Sequence, residues 1–129
     1  MTLNGWIYIL ICSVTVVSAN ILLREGVRSS GVVIFENGIK GLYKDVITVL
    51  LNPMLLACLF FYGISMLIWF RLVATQPISV AYPVLATLTF VGISLAGIIV
   101  FQESVSLLKI TGLCLALTGC LLLAAPTAS

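Results

Sequence analysis

Four long apolar runs separated by short polar punctuation organise the chain. The first covers about 6–23 and stops at the charged group Arg24, Glu25 and Arg28. Ser29-Ser30-Gly31 then reads as a turn. Beyond it, Phe35, Ile39, Leu42, Val46 and Val49 recur at spacings of three and four, with Glu36, Asn37, Lys40, Lys44 and Asp45 largely on the opposite side. That period predicts an amphipathic helix over 35–50, with a basic polar face suited to the lipid headgroup layer. The alternative is an ordinary loop, which Gly38 and Gly41 favour. Asn52-Pro53 is a helix start, with Asn as N-cap and Pro at the first helical position. The second run covers 53–71, the third 77–101 after Thr75-Gln76-Pro77, and the fourth 107–125 after a Ser104 or Ser106 cap. Pro83 lies in the first half of the third run, where it either bends the helix beside a site or is merely tolerated.

A spanning helix needs about 20 apolar residues, so 129 residues allow four spans and little else. Sixty-two per cent of the residues are hydrophobic and 8% charged, with a mean hydropathy of +1.30. A soluble domain of this length cannot hide that much apolar surface. The expectation is one domain over 1–129: an all-α membrane protein with four transmembrane helices plus an interfacial helix between the first and second. Val17-Ser18-Ala19 resembles a signal-peptide cleavage site, but no Lys or Arg precedes Trp6, so the first span is expected to be retained.

Charge predicts orientation. Arg24, Arg28, Lys40, Lys44 and Lys109 fall on one side and only Arg71 on the other. The positive-inside rule places the first and third connections in the cytoplasm, with both termini outside. The four cysteines all lie in apolar runs without a CxxC pair and read as small hydrophobes. The chain has no His, and no metal or cofactor is implied. No nucleophile–base pair suggests an enzyme, and no basic stripe suggests nucleic acid.

All four acids, Glu25, Glu36, Asp45 and Glu103, fall at or outside the ends of the apolar runs. Proton-coupled transporters of this size need a titratable group at membrane depth. Their absence points toward an amphiphile as cargo. Such a cargo needs neutral hydrogen-bonding groups, a counter-charge for its polar head and an opening to lipid. Ser13, Asn20 and Arg24 share one face of the first span, and Arg24 could meet a charged head or merely snorkel to the interface. Tyr62 and Ser65 on the second span, and Tyr82 and Thr89 on the third, offer hydroxyls. Arg71, beside Trp69, is either a second site for a charged head or an interfacial anchor. Glu103 is expected to cap the fourth helix. Gly112, Ala116 and Gly119, with Gly92 and Ala96 on the third span, form small-residue steps suited to helix packing.

The run Gln76-Pro77-Ile78-Ser79-Val80-Ala81-Tyr82-Pro83 resembles the start of the third helix in the small multidrug resistance family. Glu103, Gly112 and Gly119 resemble the closing pattern of the wider drug/metabolite transporter superfamily. The drug exporters of that family carry a first-helix Glu where this chain reads Cys12-Ser13-Val14-Thr15-Val16, and a Gly-x-Gly hinge where it reads Thr87-Leu88-Thr89. Ala81-Tyr82-Pro83-Val84-Leu85 and the long first connection are more similar to the aminoarabinose-phosphoundecaprenol flippase subunits. That resemblance implies translocation of a polyprenyl-phosphate-linked sugar across a bacterial inner membrane, with a membrane lipid as partner and with Arg24 and Arg71 as the candidates to hold its phosphate. Family members pair two four-span units in opposite orientations. Five cations against one predict a single orientation here, hence a heteromer with a second small four-span subunit in place of an antiparallel homodimer. A multidrug exporter and a non-transporting scaffold are the rival readings.

Overall fold

The computed structural model describes residues 2–31 and 38–125. Five helices follow in chain order: α1 (Leu3–Ser30), α2 (Leu42–Leu51), α3 (Pro53–Thr75), α4 (Ile78–Ile99) and α5 (Leu107–Ala124). No strand occurs among the described residues. Three helices, α1, α3 and α4, are long and apolar enough to cross a membrane, and a shorter apolar helix covers Leu107–Leu123. The protein is an all-α membrane protein.

Each boundary has a local cause. The Thr2 hydroxyl accepts from the Gly5 N–H and starts α1. The apolar pattern predicts an end near Leu23, but the helix runs on through Arg24, Glu25 and Arg28. Arg and Glu are good helix formers, so loss of hydrophobicity does not end a helix. Gly31 does, in the left-handed conformation at φ 63°, with its N–H returned to the Val27 carbonyl. At 28 residues α1 is about 42 Å long, more than the ~30 Å hydrocarbon core, so its charged last turns reach the headgroup region.

α2 begins later than the apolar period predicts. Gly38 adopts φ 67° and a turn at 39–41 precedes the helix, so the glycines delay its start to Leu42. Phe35, Glu36 and Asn37 lie outside the described residues. Asn52 then separates α2 from α3 at ψ 116° and caps α3, accepting from the Met54 and Leu55 N–H groups. Its amide also donates to the Gly26 carbonyl and to Ser29 Oγ, tying the end of α1 to the start of α3. α4 continues unbroken through Pro83, whose carbonyl accepts from Thr87 Oγ1 and from Cys120 Sγ on α5.

α1 packs along α3 and α4, α2 against α3, and α5 principally against α4. Small residues allow the close approaches. A β-carbon on Gly92 would come 2.6 Å from Val17 Cγ2, and one on Gly26 would come 2.6 Å from Leu55 Cδ2. The tightest core, Ile9, Leu72, Ala81 and Val84, lies near the α3–α4 turn. Gln76 closes that end: its Nε2 donates to Thr2 Oγ1 at 2.7 Å and its Oε1 accepts from the Thr2 N–H. Most large apolar side chains outside this core are exposed, as suits a lipid solvent.

Candidate functional site

α5 leans on α4 and stands away from α1, so the three helices enclose a cleft of about 1020 Å³. That is near the upper end for small-ligand sites. Its walls are apolar, formed by Ile21, Leu23 and Val27 from α1, Phe90, Ile93 and Ile98 from α4, and Ile110 and Leu113 from α5. Charge is concentrated at one end of it. Arg24 and Arg28 arrive from the last turns of α1, Glu103 from the α4–α5 connection and Lys109 from the first turn of α5.

Arg24 and Glu103 form an ion pair, half-exposed at 49% and 39% of their side-chain surface. The guanidinium also lies over the Phe101 ring, 4.0 Å from its centroid, a cation–π arrangement. Backbone geometry delivers Glu103 to this place. Gln102 takes φ 50°, in the left-handed region, and the Glu103 N–H returns to the Gly97 carbonyl at 3.1 Å. The hydrogen bond from Arg24 and its charge hold the Glu103 carboxyl below the usual carboxylate range; partial burial opposes this and Lys109 adds to it. Lys109 Nζ also reaches the Ser104 carbonyl at 3.5 Å. Arg28 makes no ion pair among the described residues. The mouth therefore carries three cations and one acid, a net positive end on an apolar cleft.

The expectation that Glu103 caps the fourth helix is corrected. Ser106 holds that role, its hydroxyl accepting from the Leu108 N–H, while Glu103 reaches across to α1.

Of the hydroxyl, amide and cationic residues singled out from sequence, Asn20 and Arg24 line the cleft. Asn20 donates to the Val16 carbonyl at 2.8 Å and neighbours the Tyr62 phenol. Ser13 shares their helix face but not their site. It lies two turns deeper, in a shallow recess with Val17, Leu88 and Gly92, and donates to its own Leu10 carbonyl. The tight Val17–Gly92 contact lies between the two. Ser65 is buried and donates to the Tyr62 carbonyl. Tyr82 meets Trp69 edge-on near the Gln76 end, and Arg71 sits in the last turns of α3 at that same end. Thr89 is half-buried on α4 and, with Tyr62, lies outside the cleft lining. The small residues divide as well: Gly92 packs on α1, whereas Ala96, Gly112 and Ala116 line the cleft, and added β-carbons on Gly112 and Gly119 would meet nothing within 4 Å. Arg28 and Lys109 were legible as topology charges; their convergence with Arg24 requires the fold.

Residues 44–116 match the sequence profile of the Small Multidrug Resistance protein family. The chain belongs to that family. It is a multi-pass membrane protein. It is similar to two curated bacterial proteins, each described as a probable 4-amino-4-deoxy-L-arabinose-phosphoundecaprenol flippase subunit ArnE. The one from Erwinia tasmaniensis is 39% identical over 57 residues, 44% of this chain and 52% of the relative. The one from Enterobacter sp. (strain 638) is 39% identical over 61 residues, 47% of this chain and 56% of the relative. The chain thus spans about half the length of the curated relatives it matches. No solved structure matches it.

Proposed function

We propose that this chain is one subunit of a transporter that moves a polyprenyl-phosphate-linked sugar across a bacterial inner membrane. The observation that carries the reading is the cleft's division into a cationic mouth and apolar walls. A lipid-linked sugar divides in the same way. Its phosphate meets Arg24, Arg28 and Lys109, Asn20 meets sugar hydroxyls, and the prenyl chain lies along Ile93, Ile98 and Ile110. Guanidinium is suited to phosphate because its donors match two oxygens at once. Depth also fits: the cations project from helix ends, where a headgroup enters, and the walls continue into the hydrocarbon region.

The transport unit is proposed to be a heteromer with a second four-span subunit. Connections 31–52 and 100–106 would face the cytoplasm, following the charge bias. A proton-driven multidrug exporter is the rival that family membership keeps in view. It requires an ionisable acid inside the spans, and the first helix offers Cys12, Ser13 and Thr15 at the corresponding depth.

Binding of a short-chain prenyl phosphate to the detergent-purified protein tests the proposal. Arg24→Ala should weaken binding about tenfold or more, since hydrogen bonds to charged groups contribute about 1.5–3 kcal/mol. Lys109→Ala should weaken it less. Binding indifferent to both substitutions, or robust proton-dependent efflux of a cationic dye from cells expressing the protein, would sink this reading.

A further inference from the structure

We propose that Asn20 and Ser94 form a polar floor beneath the cationic mouth, and that a lipid head enters it hydroxyl-first, below its own phosphate. The inference rests on the proposed phosphate site at Arg24 and adds Ser94, a residue that no sequence signal singled out. Hydrogen-bond accounting carries it. Ser13, Ser18, Ser65 and Thr87 each return their hydroxyl to a carbonyl of their own helix, three or four residues back. In a lipid solvent that is the nearest partner such a group can find. Ser94 does not take it. Its hydroxyl has no partner among the described residues, although it lines an apolar cleft. Among the described residues it is also the one hydroxyl side chain on that lining. Asn20, on the α1 wall, keeps one oxygen unpartnered. Its Nδ2 donates to the Val16 carbonyl at 2.8 Å and its side chain neighbours the Tyr62 phenol, while nothing among the described residues donates to Oδ1.

The two groups lie at one depth. α1 and α4 run in the same direction, since Glu103, just past the end of α4, pairs with Arg24 in the last turns of α1. Val17 and Gly92 meet between them. Asn20 is three residues past that contact and Ser94 two, about 4.5 and 3 Å along their helices. Arg24 is one turn further on, about 6 Å nearer the mouth. A phosphate on Arg24 therefore has the Asn20–Ser94 floor beneath it, and the Val17–Gly92 contact closes the cleft beneath that. So near the contact the walls have had a turn or less to part, and one ligand group can reach both. The floor offers an acceptor, Oδ1, and a hydroxyl that donates or accepts. A ligand hydroxyl complements the two at once, donating to Oδ1 and accepting from Ser94. An alkyl group or an ether oxygen cannot, because neither has a proton to give. In a bilayer a lipid head lies outward of its phosphate; on this floor it is turned inward, as the first stage of crossing requires. Ser94 is therefore a specificity-determining residue for the head.

The test uses two short-chain prenyl phosphodiesters of equal charge and similar size, one headed by glycerol and one by propyl, with affinities measured on the detergent-purified full chain. The wild-type protein should prefer the glycerol head by about tenfold, the combined value of two neutral hydrogen bonds. Ser94→Ala should cut that preference to about threefold or less and leave the affinity for the propyl head unchanged. Alanine is the best helix former, so α4 keeps its structure, and a merely structural effect would move both probes together. A wild-type protein with no preference, a Ser94→Ala variant that keeps the tenfold ratio, or one that weakens both probes alike overturns the floor. Arg24→Ala separates the two levels. It should weaken both probes, and if it weakens neither, the phosphate site on which both readings rest is overturned. Short-chain phosphatidylglycerol carries the same glycerol head on two acyl chains and should bind less tightly than the prenyl probe. Equal binding would keep the floor and overturn the prenyl carrier of the proposed function.

Discussion

A carboxyl that exchanges protons during transport must titrate near working pH, which requires its pKa to be raised. Glu103 is shifted the other way, first by the hydrogen bond from Arg24 and then by that residue's charge. The sign follows from linkage. A depressed acid contributes its pairing fully above its unperturbed value, here 4.5, and loses it only as pH falls through the lower folded value. The contribution of the Arg24–Glu103 pair to prenyl phosphate binding should thus stay level from about pH 8 to about pH 5 and change only under stronger acid. A midpoint near neutrality in a binding titration would show that another group controls the site. This pair was only half legible in the sequence. Arg24 and Glu103 flank connections on the same membrane side, so their signs and side could be read. Their contact spans 79 positions and depends on the left-handed turn at Gln102, which no apolar period reports.

The helices were legible because spanning runs and caps are local signals. Asn52-Pro53 and Ser106 start α3 and α5 where their chemistry says. What local pattern missed was the far end of α1, set by Gly31, and the late start of α2, set by Gly38 and the turn after it. The Asn52 side chain does more than cap, since its amide also bonds α1 at Gly26 and Ser29. Asn52→Ala should therefore cost the upper part of the ~0.5–2 kcal/mol range for a lost cap, whereas Asn52→Ser should keep the cap and lose only the bridge. Thermal unfolding in detergent separates the two: Asn52→Ser melting with the wild type would mean the bridge contributes nothing, and equal melting of the two variants would mean the cap contributes nothing. Small residues on α4 and α5 also separate by context. Gly92→Ala drives a β-carbon into Val17, a β-branched side chain with one preferred rotamer, and should cost about 1–3 kcal/mol. Gly112→Ala meets nothing and should leave the melting temperature of the isolated chain unchanged or slightly higher. A loss at Gly112 matching that at Gly92 would show that α5 packs more closely than the structure has it.

At the scale of the molecule, the fold gathers charge at one end. Arg24, Arg28 and Lys109 line the cleft mouth, and Lys40, in the turn before α2, and Lys44, in its first turn, lie where α2 packs on α3 at that end. Arg71 is at the other end, near the Trp69–Tyr82 pair and the Thr2–Gln76 bonds. Juxtamembrane Lys and Arg resist translocation, so five of the six cations should hold one end in the cytoplasm in every copy. Single cysteines at Thr75 and Ser104, in a background with Cys12, Cys58, Cys114 and Cys120 replaced, test this with a membrane-impermeant maleimide. Thr75→Cys should react in intact spheroplasts and Ser104→Cys only after permeabilisation. Comparable reaction of both sites from outside would mean two orientations, and self-pairing in antiparallel fashion would then be available. With one orientation it is not, because an inverted second unit must carry the opposite charge bias and so be a different chain. Such a chain would meet α5 on its open side, where Gly112 and Gly119 have no neighbour and where Gly112 and Ala116 already form one wall of the cleft. Co-expression with an oppositely biased four-span subunit should therefore yield a complex that Gly112→Leu disrupts, while the same substitution leaves the helical content of the isolated chain intact. Assembly unaffected by Gly112→Leu would place the partner on another face and leave the cleft open to lipid on its α5 side.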